Sequence, residues 1–294
     1  MNTIQKTILD WLKVRLEPSA FDKLETTCHS FSEGAEDWEV FSSFSTVPRY
    51  TGRKPLDLNS EELESAEQLR KGWKPGSWTT DQLGRTLLVL ALADRGREEF
   101  LDKLEKLHTS ADMGEAEALY LGLSIFPWPE DLTDRAAEGI RSNMTSVFEA
   151  VALDNPYPAD HLDDEAWNQM VLKALFVGSP LYRIQGLEQR ANAELARMLT
   201  QYAHERWSAG RVVSPELWRP TGPFLGPDYL EEIERVLTDD DDLQKRAAVL
   251  ALSSSDSEEA ASLLKKHRDA LSDLEYHSYT WDDIGQTYHE SSSS

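Results

Sequence analysis

Apolar residues recur at three- and four-residue spacing along most of this chain, a period that fits helices and not strands. Ile4, Ile8, Trp11, Leu12 and Leu16 fall on one face of a first helix, closed by Pro18. Phe21, Leu24, Cys28 and Phe31 mark a second helix. Trp38, Phe41 and Phe44 mark a third, expected to stop before Pro48. No run of alternating β-branched residues is bounded by turn signals, so no strand is expected. The fold class read from this is all-α.

The pattern sharpens from Thr79. Thr79, Thr80 and Asp81 offer capping oxygens to a helix through Leu83, Leu87, Leu88, Leu90 and Leu92. Gly96 breaks it, and Phe100, Leu101, Leu104 and Leu107 carry its successor. Asp81–Lys106 aligns without a gap on Asp241–Lys266: Val89–Leu92 falls on Val249–Leu252, and Leu104 on Leu264. Paired short amphipathic helices are the mark of HEAT-like repeats, although helices rich in Ala and Leu also align by chance. The expectation is an α–α superhelix in one domain over 1–290, with helical pairs at about 79–109 and 226–268 and a disordered tail at 291–294. Further helices are expected at Met113–Ile125, Leu132–Met144, Ser146–Leu153, Asp163–Val177, Ala193–Ala209 and Tyr229–Leu237.

Charge narrows the partners. The 294 residues carry 53 acidic and 30 basic side chains, a net charge of −23. Such a balance argues against nucleic acid and anionic membrane, which both present phosphates. The single cysteine, Cys28, excludes a disulfide scaffold or a Cys-based metal site. The longest apolar run, Leu87–Ala93, is too short to span a bilayer, so no membrane insertion is expected. Asp10 and Lys13 sit where a signal peptide needs its apolar core, and a cytoplasmic location is expected.

Phosphate loops and the hydrolase elbow have no match here. His204-Glu205 begins a metalloprotease-like motif, but Ser208 stands where the second histidine is needed. Asp163-Asp164 and Asp239-Asp240 lack the further carboxylate of a diphosphate–magnesium helix and read as helix N-terminal acids. No metal and no cofactor are expected. The helix after Asp163 carries two apolar stripes, Trp167, Met170, Val171, Ala174 and Leu172, Leu175, Phe176, and is expected to be wrapped by neighbours on most sides. Asn168 on it is either a satisfied structural amide or a ligand contact.

Ser179–Pro220 is the electrostatic exception. It holds six arginines, four glutamates, no lysine and no aspartate, a local charge of +2. Arginine used to the exclusion of lysine suggests paired or bidentate contacts. One reading is a pocket for an anionic small molecule, with Arg183 and Arg206 supplying charge and Tyr182, His204 and Trp207 shape. The other is that the arginines pair with carboxylates of neighbouring helices, with His204 on the solvated surface.

The same region carries a family resemblance. Asn155-Pro156-Tyr157-Pro158, Trp167–Phe176, Pro180–Ile184, Ala191–Leu199, Tyr202–Trp207 and Pro215–Arg219, with Val47-Pro48-Arg49, Trp73 and Trp78 upstream, resemble the EboA-domain family over about residues 45–225. The resemblance implies an all-helical scaffold. It also implies a gene setting beside a UbiA-type membrane prenyltransferase and sugar-phosphate-type enzymes, in making or exporting a specialised metabolite. It carries no catalytic residues. Its most distinctive motifs match at Arg49, Asn168, Lys173, Arg183, His204, Arg206 and Arg219.

Two functions follow as expectations. The first is a non-enzymatic accessory protein that binds a pathway intermediate or a pathway enzyme, membrane-associated enzymes included. Its ligand residues would be Arg49, Trp167, Asn168, Lys173, Tyr182, Arg183, Arg206, Trp207 and Arg219. The alternative is an enzyme acting on an anionic or prenylated intermediate, with His204 or Glu205 as acid or base.

Overall fold

The computed structural model describes residues 1–267 and 279–292. Among these there are seventeen α-helices, short 3-10 turns and no strand, so the fold is all-α. The chain separates into two compact units, Met1–Leu162 and Asp163–Ser294.

The first unit holds α1 (Thr3–Lys13), α2 (Pro18–Glu33), α3 (Asp37–Thr51), α4 (Ser60–Leu69), α5 (Thr80–Leu92), α6 (Arg97–Ser110), α7 (Met113–Gly122), α8 (Thr133–Arg141), α9 (Thr145–Ala152) and α10 (Tyr157–His161). α5 is its axis, packed by α1, α2, α3, α6 and α7. Thr79 and Gln82 close a capping box at its start. Every α5 residue except Gln82 is then buried, which its leucine-rich sequence permits at the cost of burying Asp81 and Arg85.

Pro48 does not end the third helix. α3 runs through it to Thr51. A proline inside a helix leaves the carbonyl four residues back without its N–H donor. That carbonyl belongs to Phe44, and Arg85 Nε donates to it at 3.2 Å. Arg85 is only 2% exposed. Its Nη1 also donates to the Gly114 carbonyl (3.2 Å) and to Asp81 (3.4 Å). The buried arginine on α5 thus satisfies the acceptor that Pro48 leaves open.

The second unit holds α11 (Asp164–Val177), α12 (Ala193–Ser208), α13 (Trp218–Thr221), α14 (Leu230–Leu237), α15 (Asp242–Ser253), α16 (Glu258–Lys266) and α17 (Trp281–Ser292). α15 is its hub, contacting α13, α14, α16 and α17. The α5–α6 and α15–α16 pairs fall at the aligned sequence positions. Of the expected tail, Ser291 and Ser292 complete α17, while 293 and 294 lie outside the described residues. Residue 268, the end of the expected second pair, lies outside them too.

α17 seats on the turns at Leu181–Arg183 and Pro215–Leu217. Ile284 is fully buried, and a Cβ on Gly285 would stand 2.6 Å from Glu216 Oε1. The buried Glu216 accepts from the N–H groups of Leu181 (3.2 Å) and Tyr182 (2.6 Å) and bonds His289 Nε2 (2.7 Å). That explains an acidic residue in a buried turn: it collects backbone donors that no helix satisfies.

Candidate functional site

α11 begins on Asp163, whose carboxylate accepts from the Ala166 N–H (2.8 Å), and ends on Gly178 in the left-handed region. Trp167, Met170, Val171 and Ala174 form its buried face. The opposite stripe is not wrapped as the sequence led one to expect. Leu172 is half-buried and Phe176 is 76% exposed. Leu175 is buried, while Leu172 and Phe176 border a cavity on the side towards α12.

α12 begins on Asn192, which accepts from the Leu195 N–H (2.9 Å). The Asn168 and Asn192 carboxamides exchange two hydrogen bonds (2.9 and 3.2 Å). The buried Asn168 is therefore a structural amide that ties the start of α12 to α11. At the other end of α12, Gly210 takes a left-handed φ of 64° and the chain folds back. The Arg211 N–H reaches the Arg206 carbonyl (2.9 Å), and Arg206 Nε and Nη2 donate to the Val212 carbonyl (3.2 and 3.0 Å).

The space between α11 and α12 is a cavity of about 380 Å³. It is lined by Gln169, Leu172, Lys173, Phe176, Tyr202, Glu205, Arg206 and Arg211. Leu172, Phe176 and the Tyr202 ring make it apolar. Lys173, Arg206 and Arg211 against Glu205 give it a surplus of positive charge. Partial burial holds the Lys173 ammonium below the usual lysine value.

Three of the residues singled out in the sequence meet in this cavity: Lys173, Arg206 and Glu205. The others lie elsewhere. Trp167 sits on the buried face with the Arg190 guanidinium 5.1 Å from its ring. Tyr182 is held by Glu216, and Arg183 closes its 3-10 turn half-buried, outside the cavity lining. His204 is exposed and bonds Glu232 (2.8 Å). Trp207 stacks on Trp218 and beneath Arg235. Arg219 pairs with Glu188 (2.6 Å) and Asp282 (2.8 Å). Arg49 is exposed on α3 of the first unit.

The arginine-only segment divides by this geometry. Arg190 pairs with Asp164 and Arg219 with two acids on other elements, while Arg197 pairs with Glu194 one turn away on the exposed face of α12. Arg206 fixes the turn and lines the cavity. Arg211 lines the cavity and has no ion pair among the described residues. Sequence reasoning left Arg211 out of the site. The available signal was its place directly after Gly210, beyond the helix end.

A family model described as metabolite traffic protein EboA matches residues 4–222. The chain belongs to the EboA family. The match takes in residues 4–44, which the resemblance covered only loosely, and contains every residue lining the cavity. α14 to α17 lie beyond it. No curated protein and no solved structure matches the chain. Among the described residues no group of three or more His, Cys, Asp or Glu could hold a metal ion. No described helix is long and apolar enough to cross a membrane. Asp163 caps α11 and Asp241 caps α15, the helix-terminal role read for both acidic runs.

Proposed function

We propose that this protein is an accessory binding scaffold that holds a small amphipathic anion, an intermediate in the biosynthesis or export of a specialised metabolite. The observation that carries the reading is the cavity itself: an apolar interior of Leu172, Phe176 and Tyr202 edged by Lys173, Arg206 and Arg211. Ligand pockets of a few hundred Å³ that are largely apolar with a few convergent polar groups are the usual form of small-molecule sites. The family description agrees with a metabolite as cargo. Delivery to a pathway enzyme, membrane-associated ones included, gives such a scaffold its use, and the cytoplasm is the compartment we assign. The enzyme alternative has less support, because Glu205 borders the cavity while His204 is engaged by Glu232.

Calorimetric titration with octyl phosphate, an apolar chain bearing one anionic group, tests the reading. One saturable site is expected, with 1-octanol binding far more weakly. Arg211→Ala is expected to weaken octyl phosphate by about tenfold or more, the worth of one charge-assisted hydrogen bond. No saturable binding, or binding indifferent to charge and to Arg211, overturns it.

A further inference from the structure

Arg211 also lines a second cavity, of about 370 Å³, bordered by the same turn through Gly210, Val212 and Val213. Its chemistry is different. Trp207, Arg235, Asp239, Asp241 and Gln244 line it, so it is rich in hydrogen-bonding groups where the first cavity is apolar. The Trp207 ring is covered by Trp218 and by the Arg235 guanidinium, 4.4 Å from its centroid, so ring stacking is not what it offers a ligand. Gln244 Nε2 donates to the Val213 carbonyl (2.8 Å) and holds the turn. Arg235 and the carboxylates of Asp239 and Asp241 are what remain. Asp239 Oδ1 accepts from the Asp241 N–H (2.9 Å), and Asp241 Oδ1 from the Leu243 N–H (2.8 Å). Each leaves an oxygen for an incoming donor. Ionised carboxylates accept and do not donate, so they select hydroxyl or ammonium groups and repel a second anion.

We infer that the two cavities take one ligand in two parts, an apolar chain against Leu172 and Phe176 and a hydrogen-bond-donating head at Asp239 and Asp241, joined by an anionic group at Arg211. This rests on the amphipathic-anion reading above and adds the head. A single guanidinium bordering both cavities serves one anion well and two poorly, because two anions at one site repel. The free oxygens of Asp239 and Asp241 fix the orientation, since they favour a hydrogen-bond donor beyond the anion. The shared chemistry is a chain–phosphate–donor diester or its carboxylate counterpart, with the donor a hydroxyl or an ammonium.

The test is calorimetry on the full chain with octyl phosphate and its glycerol, ethanolamine and choline diesters, below their micelle concentrations. The choline head matches the ethanolamine head in charge but has no N–H or O–H. The expected result is that the glycerol diester, the ethanolamine diester or both bind at least about tenfold tighter than the choline diester. A gain for glycerol alone assigns a hydroxyl head, and a gain for ethanolamine alone an ammonium head. Asp239→Asn/Asp241→Asn is expected to erase that preference while octyl phosphate binds as before. Asparagine caps a helix as well as aspartate, so α15 still starts in place. If octyl phosphate binds through Arg211 but the three heads are equal, or the preference survives the double substitution, the two-part site is overturned and the amphipathic-anion reading stands. If octyl phosphate does not bind, both fail.

Discussion

Replacing Arg85 by Met tests whether this side chain substitutes for the N–H missing at Pro48. The guanidinium is 2% exposed and donates to the Phe44 and Gly114 carbonyls and to Asp81. Asp81 would keep its hydrogen bond from Thr79 Oγ1 (2.6 Å), so the carboxylate is not left wholly unpaired. The Phe44 carbonyl would be, whereas the Gly114 carbonyl lies inside α7 and keeps the helical N–H of Ala118. Breaking a buried ion pair by removing one partner costs about 3–5 kcal/mol. The retained Thr79 bond places Arg85→Met at the lower end, about 3 kcal/mol. Pro48→Ala restores an N–H within reach of the Phe44 carbonyl. In the Arg85→Met background that N–H should recover about 1 kcal/mol, the net worth of one buried hydrogen bond. In the parent background the carbonyl already has its donor, so the same substitution should gain less. The measurement is a double-mutant cycle by urea denaturation, with native-state hydrogen exchange of the α5 amides reporting the first unit directly. Additivity within about 0.5 kcal/mol would show that the Phe44 contact contributes nothing and would refute the argument.

Three further outcomes are expected. Trp167→Ala should cost about 3–5 kcal/mol, because the ring is fully buried, and a loss below about 0.5 kcal/mol would contradict its place in the core. His108 on α6 is half-buried beside Tyr120 of α7 with its Nε2 buried, and the loss of solvent there pushes it down to about 3. Its folded pKa lies below the unfolded one, so the unfolded chain binds the extra proton and stability falls as pH drops from about 6.5 towards 3. Denaturation across that window should show His108→Phe losing stability less steeply, by about 1.4 kcal/mol per pH unit; parallel curves would contradict it. Gly285→Leu should undock α17 from Tyr182 and Glu216, read as faster hydrogen exchange along α17 with the α11 and α12 amides unchanged. Unchanged α17 protection would mean the close approach is not needed.

The helical period located most elements, because a face that must be buried repeats every third or fourth residue whatever it packs against. It missed α4, where Ala66 is the only buried residue, and α17, where only Trp281, Ile284 and Tyr288 carry the period. It stopped α3 at Pro48, because propensity is local and the donor that rescues the helix comes from a different helix. Sequence marked the segment that borders the cavity and three of its lining residues, Lys173, Glu205 and Arg206. It could not separate Leu172 and Phe176 from core, since an apolar stripe reads the same against a helix or a cavity.

By itself the sequence determined an all-α chain of the EboA family and an arginine-only segment within an acidic protein. Only the tertiary structure decided which arginines meet carboxylates and which meet open space. Charge composition is a property of the chain, but a salt bridge needs a partner within about 4 Å. Arg190, Arg197 and Arg219 have such partners, and Arg211, turned out by Gly210 between two cavities, has none among the described residues.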